Sequence, residues 1–199
     1  MLVSNIKFVL GNKFKPILYY LFMICLSVEG TAHTAACSVV SGKGEILSDI
    51  RDMYTSESHG IIPVEAARHH KELFPKLIRE AIEQAKVGKI DLVAYSAAPG
   101  LPPCLKETLH AAIDIAKELD ASLIGVNHCC AHLSTAHFFT PAKNPVYVFV
   151  SGANTQIISL EDRKFRILGE SIDTGMGNAL DKIGRELNLG FPAGPKMEE

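Results

Sequence analysis

The chain has no tryptophan and only five cysteines in 199 residues. Cys25, Cys37, Cys104, Cys129 and Cys130 are odd in number, and no spacing among them matches a zinc-finger pair. A disulfide-stapled framework and a thiolate zinc module are therefore not expected. The five read as reduced, mostly buried thiols of a cytoplasmic protein. Neither sign of charge is in excess: 20 Lys and Arg face 22 Asp and Glu, a net charge of −2. Bulk electrostatics thus do not point to nucleic acid or an anionic membrane, although a small basic patch would not show in the total. The apolar run Ile17–Val28 falls short of the roughly 20 residues of a spanning helix, so no membrane is expected as a partner. The sequence also has no Glu after His128, so it lacks the His-Glu-x-x-His pattern of metallopeptidases.

What is present is globular composition, 47% hydrophobic and 21% charged, enough to bury a sizeable core in one or two domains. Lys7, Lys13 and Lys15 ahead of Ile17–Val28 resemble a signal peptide. The run passes without a break into Glu29-Gly30-Thr31, and cleavage would remove the strand that carries this turn. Met23 is therefore expected to be the natural start, with residues 1–22 an extension that is poorly ordered or packs non-specifically.

Residues 24–29, 35–40 and 45–51 read as an antiparallel meander, with Gly42 and Gly44 in its hairpin. A polar loop over 51–62 precedes a helix over 64–86, which Pro75 should kink or split. Strand 90–95, a Pro- and Gly-rich loop over 96–104, helix 105–119 and strand 123–126 follow, the helix with Leu109, Ala112, Ile113 and Ala116 on one face. A further helix begins at His128 with Asn127 as its cap. The opening pattern then returns as strand 146–150, a turn at Ser151–Thr155, strand 156–160, a hairpin at Glu161-Asp162 and strand 164–168. A repeat of about 120 residues implies two related lobes. The expected boundaries are an extension over 1–22, a first lobe over 23–141 that includes the His128 helix, and the start of a second lobe over 142–199.

His128 and His132 stand four residues apart, about 400° around a helix, so both rings fall on one face and can share a divalent ion. Cys129 and Cys130 are rotated away from that face. The plain alternative is a packed or solvated pair. Ser151–Thr155 offers a small-residue turn with N–H groups and hydroxyls able to wrap phosphate oxygens, and Gly30 and Thr31 offer the same from the first lobe. Each turn taken singly reads first as an ordinary hairpin; their repetition at matching places brings a functional reading level with that one. Gly190–Lys196 is a second Gly/Pro loop that a ligand could approach closely. Asp181 in the preceding helix reads as a solvated acid, and Asp173 as an N-cap. His69-His70-Lys71 reads as helix surface, or as a cationic face toward RNA phosphates.

Seven ordered segments resemble one known family: VEGTAHT (28–34), GIIPVEAARHH (60–70), PGLPPCL (99–105), GVNHCCAH (125–132), VSGANTQ (150–156), GNALDKIGREL (177–187) and GFPAGPK (190–196). The chain is similar to tRNA N6-adenosine threonylcarbamoyltransferases, in the archaeal and eukaryotic branch that supplies the catalytic subunit of the KEOPS complex. The resemblance implies an α/β protein of the actin-like/Hsp70-like ATPase fold (ASKHA), with two related lobes. It implies transfer of threonylcarbamoyl from threonylcarbamoyl-adenylate to the N6 amine of the adenosine beside the anticodon, in tRNAs reading ANN codons. It implies one divalent ion per subunit, iron or zinc. The implied partners are tRNA and the KEOPS subunits, among them a small kinase/ATPase subunit. His128 and His132 match the family's metal pair. Phe149, Val150, Ser151, Gly152 and Ala153 match its segment for metal and adenylate. Asp181, Gly194 and Glu198 match positions that bind the adenylate.

The sequence departs from the family pattern in places. Phe149 stands where the family usually has a Tyr that contacts the metal, Ala153 stands in the usual SGGNT turn, and Ala97, Ala98 and Pro102 replace residues that are mostly Gly. The family continues beyond the position of Glu199 to an Asn for the adenylate and an Asp for the metal, so the second lobe is expected to be incomplete. Three readings follow: a transferase or its N-terminal part, a non-catalytic scaffold or inactive fragment of the same fold, and, remotely, a metallopeptidase.

Overall fold

The structure is a computed structural model, and it describes residues 21–55, 60–162, 164–190 and 192–198. The expected extension over 1–22 therefore lies almost wholly outside the described residues, as do His59 and Phe191. The described residues divide into two compact units. The division falls between His132 and Leu133, ahead of the boundary expected at 141/142.

In the first unit, β1 (Ile24–Glu29), β2 (Thr34–Ser41) and β3 (Ile46–Met53) form the expected meander. Helix α1 (Pro63–Ala85) leads to β4 (Leu92–Ala98), and helix α2 (Pro102–Glu118) to β5 (Ser122–Asn127). The sheet order is β3-β2-β1-β4-β5, with β1–β4 and β4–β5 parallel. The parallel pairs follow from the two helices, since a parallel connection needs a long crossover. Leu26 and Val28 on β1, and Ala35, Cys37 and Val39 on β2, alternate into the core. They meet Phe74, Leu77, Ile78 and Ala81 of α1, at helical spacing, and Ala112, Ile115 and Ala116 of α2.

Three expectations change here. Helix α1 runs through Pro75 without splitting, so of the kink or split expected there the split is excluded. Pro75 is exposed between buried Phe74 and Leu77, and the helical hydrogen bond it removes is the one to the carbonyl of Lys71, itself an exposed residue. The loop expected over 96–104 is shorter, because β4 runs to Ala98 and α2 starts at Pro102, where prolines lose no helical hydrogen bond. The buried face of α2 is Cys104, Thr108, Ala112, Ile115 and Ala116, not the one through Leu109 and Ile113. The Thr108 hydroxyl is satisfied there by donating toward the Cys104 and Gly30 carbonyls.

Helix α3 (His128–Phe139) follows β5 directly, and the Asn127 side chain accepts the Cys130 N–H at 3.0 Å, as the cap expectation requires. In the second unit the meander recurs as β6 (Val146–Val150), β7 (Thr155–Glu161) and β8 (Lys164–Glu170), in that order. Leu133, Tyr147 and Ile158 form its core, with Ala136, Phe149, Leu160 and Phe165 against them. Helices α4 (Met176–Glu186) and α5 (Gly194–Glu198) complete it, so part of the loop expected over 190–196 is helical. No helix among the described residues is long and apolar enough to cross a membrane.

Candidate functional site

The first two turns of α3 carry His128 and His132 on one face, as their spacing predicts. Their Nε2 atoms face each other at 3.2 Å, with ring centroids 4.5 Å apart and ring planes at 86°. Behind His128 lies Glu29, the last residue of β1. Glu29 Oε2 is 3.2 Å from His128 Nδ1 and also accepts the Ser96 hydroxyl from neighbouring β4. Glu29 Oε1 accepts the Thr31 N–H at 2.8 Å and its hydroxyl at 2.6 Å. Burial opposes the charged form of Glu29. The bonds from His128, Ser96 and Thr31 outweigh it and hold the carboxyl at about 2, so it is ionised at neutral pH. Burial, and then the neighbouring His128, lower the pKa of His132, which favours the neutral imidazole.

This donor set fits a divalent ion in part. Two imidazole nitrogens each about 2.0–2.1 Å from a tetrahedral ion stand about 3.3 Å apart, close to the spacing seen. The carboxylate on the outer nitrogen of His128 is the usual support of a metal-bound imidazole. Among the described residues, no cluster of three or more His, Cys, Asp or Glu could hold an ion, so the pair supplies two donors and no more.

The turn at Gly30-Thr31 differs from the phosphate cradle expected of it. Thr31 is buried, and its N–H and hydroxyl both go to Glu29. A phosphate there would compete with an ionised carboxylate for the same donors. Gly30 is packed tight: a Cβ would lie 2.5 Å from Thr108 Oγ1 and 2.8 Å from the Phe74 ring. Of the residues read as a helix surface or a cationic face over 69–71, Lys71 is exposed but His70 does not reach the surface. His70 is fully buried, edge-on to Phe74, and its Nε2 has no partner among the described residues. Burial first, and then the charge of His69, bring its pKa down to about 4, so it is neutral at pH 7. His69 turns instead to Asp52, with Nε2 and Oδ1 at 2.8 Å.

In the second unit, the turn after β6 is closed on itself. Ser151 N–H donates to the Asn154 carbonyl, and Asn154 N–H to Ser151 Oγ. The carbonyls of Ser151 and Gly152 accept the N–H groups of Gly177 and Asn178 at the start of α4. Gly175 and Gly177 are required by this contact, since a Cβ would meet backbone of the turn at 2.6 Å and 2.8 Å respectively. Gly152 and Ala153 remain exposed at its tip. Phe149 packs on the Leu133–Tyr147–Ile158 core, and Val150, on the opposite side of β6, is exposed. Asp181 is not a plain solvated acid: its Oδ1 accepts the Ala193 N–H at 2.8 Å, tying α4 to the residue before Gly194. Gly194 opens α5 and Glu198, near its end, is exposed. Asp173 is not the cap of α4; it accepts from Ser171 and Thr174, and Gly175 precedes the helix.

The TsaD family model, described as tRNA N6-adenosine threonylcarbamoyltransferase, matches residues 45–199, more than half of the chain. The chain belongs to the TsaD family. It is 45% identical over 179 residues to a "tRNA N6-adenosine threonylcarbamoyltransferase" of Thermococcus kodakarensis, covering 89% of this chain and 54% of that protein. It is 45% identical over 177 residues to a "Probable bifunctional tRNA threonylcarbamoyladenosine biosynthesis protein" of Methanocaldococcus jannaschii, covering 89% of this chain and 33% of that one. The chain thus spans about half or less of these relatives' length. Among solved structures, YeaZ from Pseudomonas aeruginosa superposes with a TM-score of 0.52 at 12% identity, over 78% of this chain and 68% of that one. That likeness supports the actin-like ATPase fold expected of this TsaD-family chain.

Glu29 and Ser96 are the polar residues at the His pair that sequence reasoning missed. Glu29 was visible as part of a motif, but its bond to His128 spans 99 residues and leaves no local pattern.

Proposed function

We propose that this chain carries the first part of a threonylcarbamoyl-transfer site. The reaction moves the threonylcarbamoyl group from threonylcarbamoyl-adenylate to the N6 amine of the tRNA adenosine beside the anticodon. One observation carries the reading: in a TsaD-family chain, the two Nε2 atoms converge at 3.2 Å with a carboxylate behind one of them. When bound, an iron or zinc ion would act as a Lewis acid on the carbamoyl oxygen. His128 and His132 would hold it, and Glu29, Thr31 and Ser96 would keep His128 in place. In the second unit, Val150, Ser151, Gly152, Ala153, Asp181, Gly194 and Glu198 are the candidates for contact with the adenylate, with AMP as leaving group. Phe149 offers no oxygen. The partners that follow are tRNA and KEOPS subunits, including the kinase/ATPase subunit, in the cytoplasm.

A second reading, a scaffold without activity of its own, is favoured by the same Phe149 and by the presence of only two donors among the described residues. The test is metal analysis of the purified chain with a transfer assay from threonylcarbamoyl-adenylate to tRNA, kinase subunit present. Transfer that His128→Ala abolishes supports the enzyme; no transfer at all supports the scaffold.

A further inference from the structure

Glu29 stands in the VEGTAHT segment, ahead of the residues matched by the family model, and its carboxylate takes four bonds beside the His pair. Its four bonds leave one arrangement of protons. An ionised carboxylate only accepts. Oε1 takes the N–H and hydroxyl of Thr31; Oε2 takes the Ser96 hydroxyl and faces His128 Nδ1. Thr31 Oγ1 is also 3.4 Å from His128 Nδ1. The single hydroxyl proton of Thr31 is committed to Glu29 at 2.6 Å, so toward His128 this oxygen presents only lone pairs. Both neighbours of Nδ1 are acceptors. The ring proton of neutral His128 therefore sits on Nδ1, and its Nε2 carries the lone pair that faces His132 Nε2 at 3.2 Å.

We infer that Glu29 is a positioning residue that fixes His128 in its Nδ1–H tautomer and so presents Nε2, beside Nε2 of His132, to a divalent cation. The cation half of this inference rests on the metal reading above; the tautomer half does not. Glutamine cannot replace Glu29. Its amide has one acceptor oxygen and one donor nitrogen, so it must turn its N–H groups on either Thr31 or the Ser96–His128 pair. One set of donors then loses its acceptor.

The test has two readouts on the full chain. Long-range proton–nitrogen NMR of the metal-free protein at mildly alkaline pH, with His128 assigned by His128→Asn, reads the tautomer directly. The expected result is Nδ1–H in the wild type and a loss of that preference in Glu29→Gln. A wild type with its proton on Nε2 overturns the inference, even if the variant fails to fold. Zinc affinity, measured by competition with a chromophoric chelator, should fall about 10–100-fold in folded Glu29→Gln. Unchanged affinity there overturns the positioning role. Zinc binding that survives His128→Ala with His132→Ala overturns the metal reading, and the cation half with it.

Discussion

His70 offers a test of the first unit's core that is independent of the metal. It is fully buried between Gly30 and Phe74, and its pKa is brought down to about 4 from an ordinary 6.5. Between those values the unfolded chain binds a proton that the folded chain does not. Stability from this group is therefore present at neutral pH and lost as pH falls from about 6.5 toward 4. Each unit of pKa difference is worth about 1.4 kcal/mol. Going from pH 7 to about pH 4.5 spans most of the window, so His70 alone should remove roughly 2 kcal/mol. Glu29, held at about 2, gives up its contribution mainly below that range. The perturbation is His70→Leu, which removes both the titration and the unpartnered Nε2. The assay is urea unfolding at the two pH values; with no tryptophan in the chain, far-UV circular dichroism is the probe. Other groups contribute to the pH dependence, so the quantity to compare is the stability loss in wild type minus that in the variant. A difference of roughly 2 kcal/mol is expected. Equal losses in the two proteins would refute a neutral, desolvated His70.

Gly184→Ala should destabilise the second unit by about 1–3 kcal/mol, because the new Cβ would fall 2.1 Å from the Ala193 Cβ; thermal melting reads the loss. Gly177→Ala should open the turn at 151–154, whose backbone lies within 3.0 Å of the added Cβ, and faster amide exchange at Ser151 and Asn154 is the measure. Asn127→Ala removes the side-chain acceptor of the Cys130 N–H and should cost about 1 kcal/mol, against which an unchanged urea midpoint would count.

Much of the fold is legible in the sequence because it rests on short-range patterns. Short apolar runs punctuated by Gly30, Gly42 and Gly44 marked β1 and β2, helical spacing marked α1, and the HxxxH spacing placed His128 and His132 on one face. The misreadings share a cause: a tertiary contact overrode a local rule. Packing of Phe74 and Leu77 carried α1 through Pro75. The rotation of α2 was set by Thr108, a polar residue that is buried because the Gly30 carbonyl accepts its hydroxyl. His70 looked like part of a basic surface, yet the sheet end at Gly30 closes over it. The candidate site was legible as far as one helix supplies it. Glu29 and Ser96 come from β1 and β4, which sit side by side only once the parallel register Ser27 to Ala94 is formed.

That register also explains why a carboxylate is tolerated at the end of a buried strand. An ionised group leaving water must recover its hydration as hydrogen bonds. Glu29 does so at the end of the central strand β1, where neighbouring β4 brings Ser96 alongside and the chain turns at Gly30 to send back the N–H and hydroxyl of Thr31. The turn is tight because Gly30 has no side chain, and a Cβ there would displace Thr108, Phe74 and His70 together. A larger residue at position 30 would therefore act at a distance. It would push Thr31 off Glu29 and loosen the hold on His128 Nδ1, without touching either histidine of the pair. The same NMR readout of the His128 tautomer would register this in Gly30→Ala, and a retained Nδ1–H preference in the folded variant would show that the turn does not govern the site.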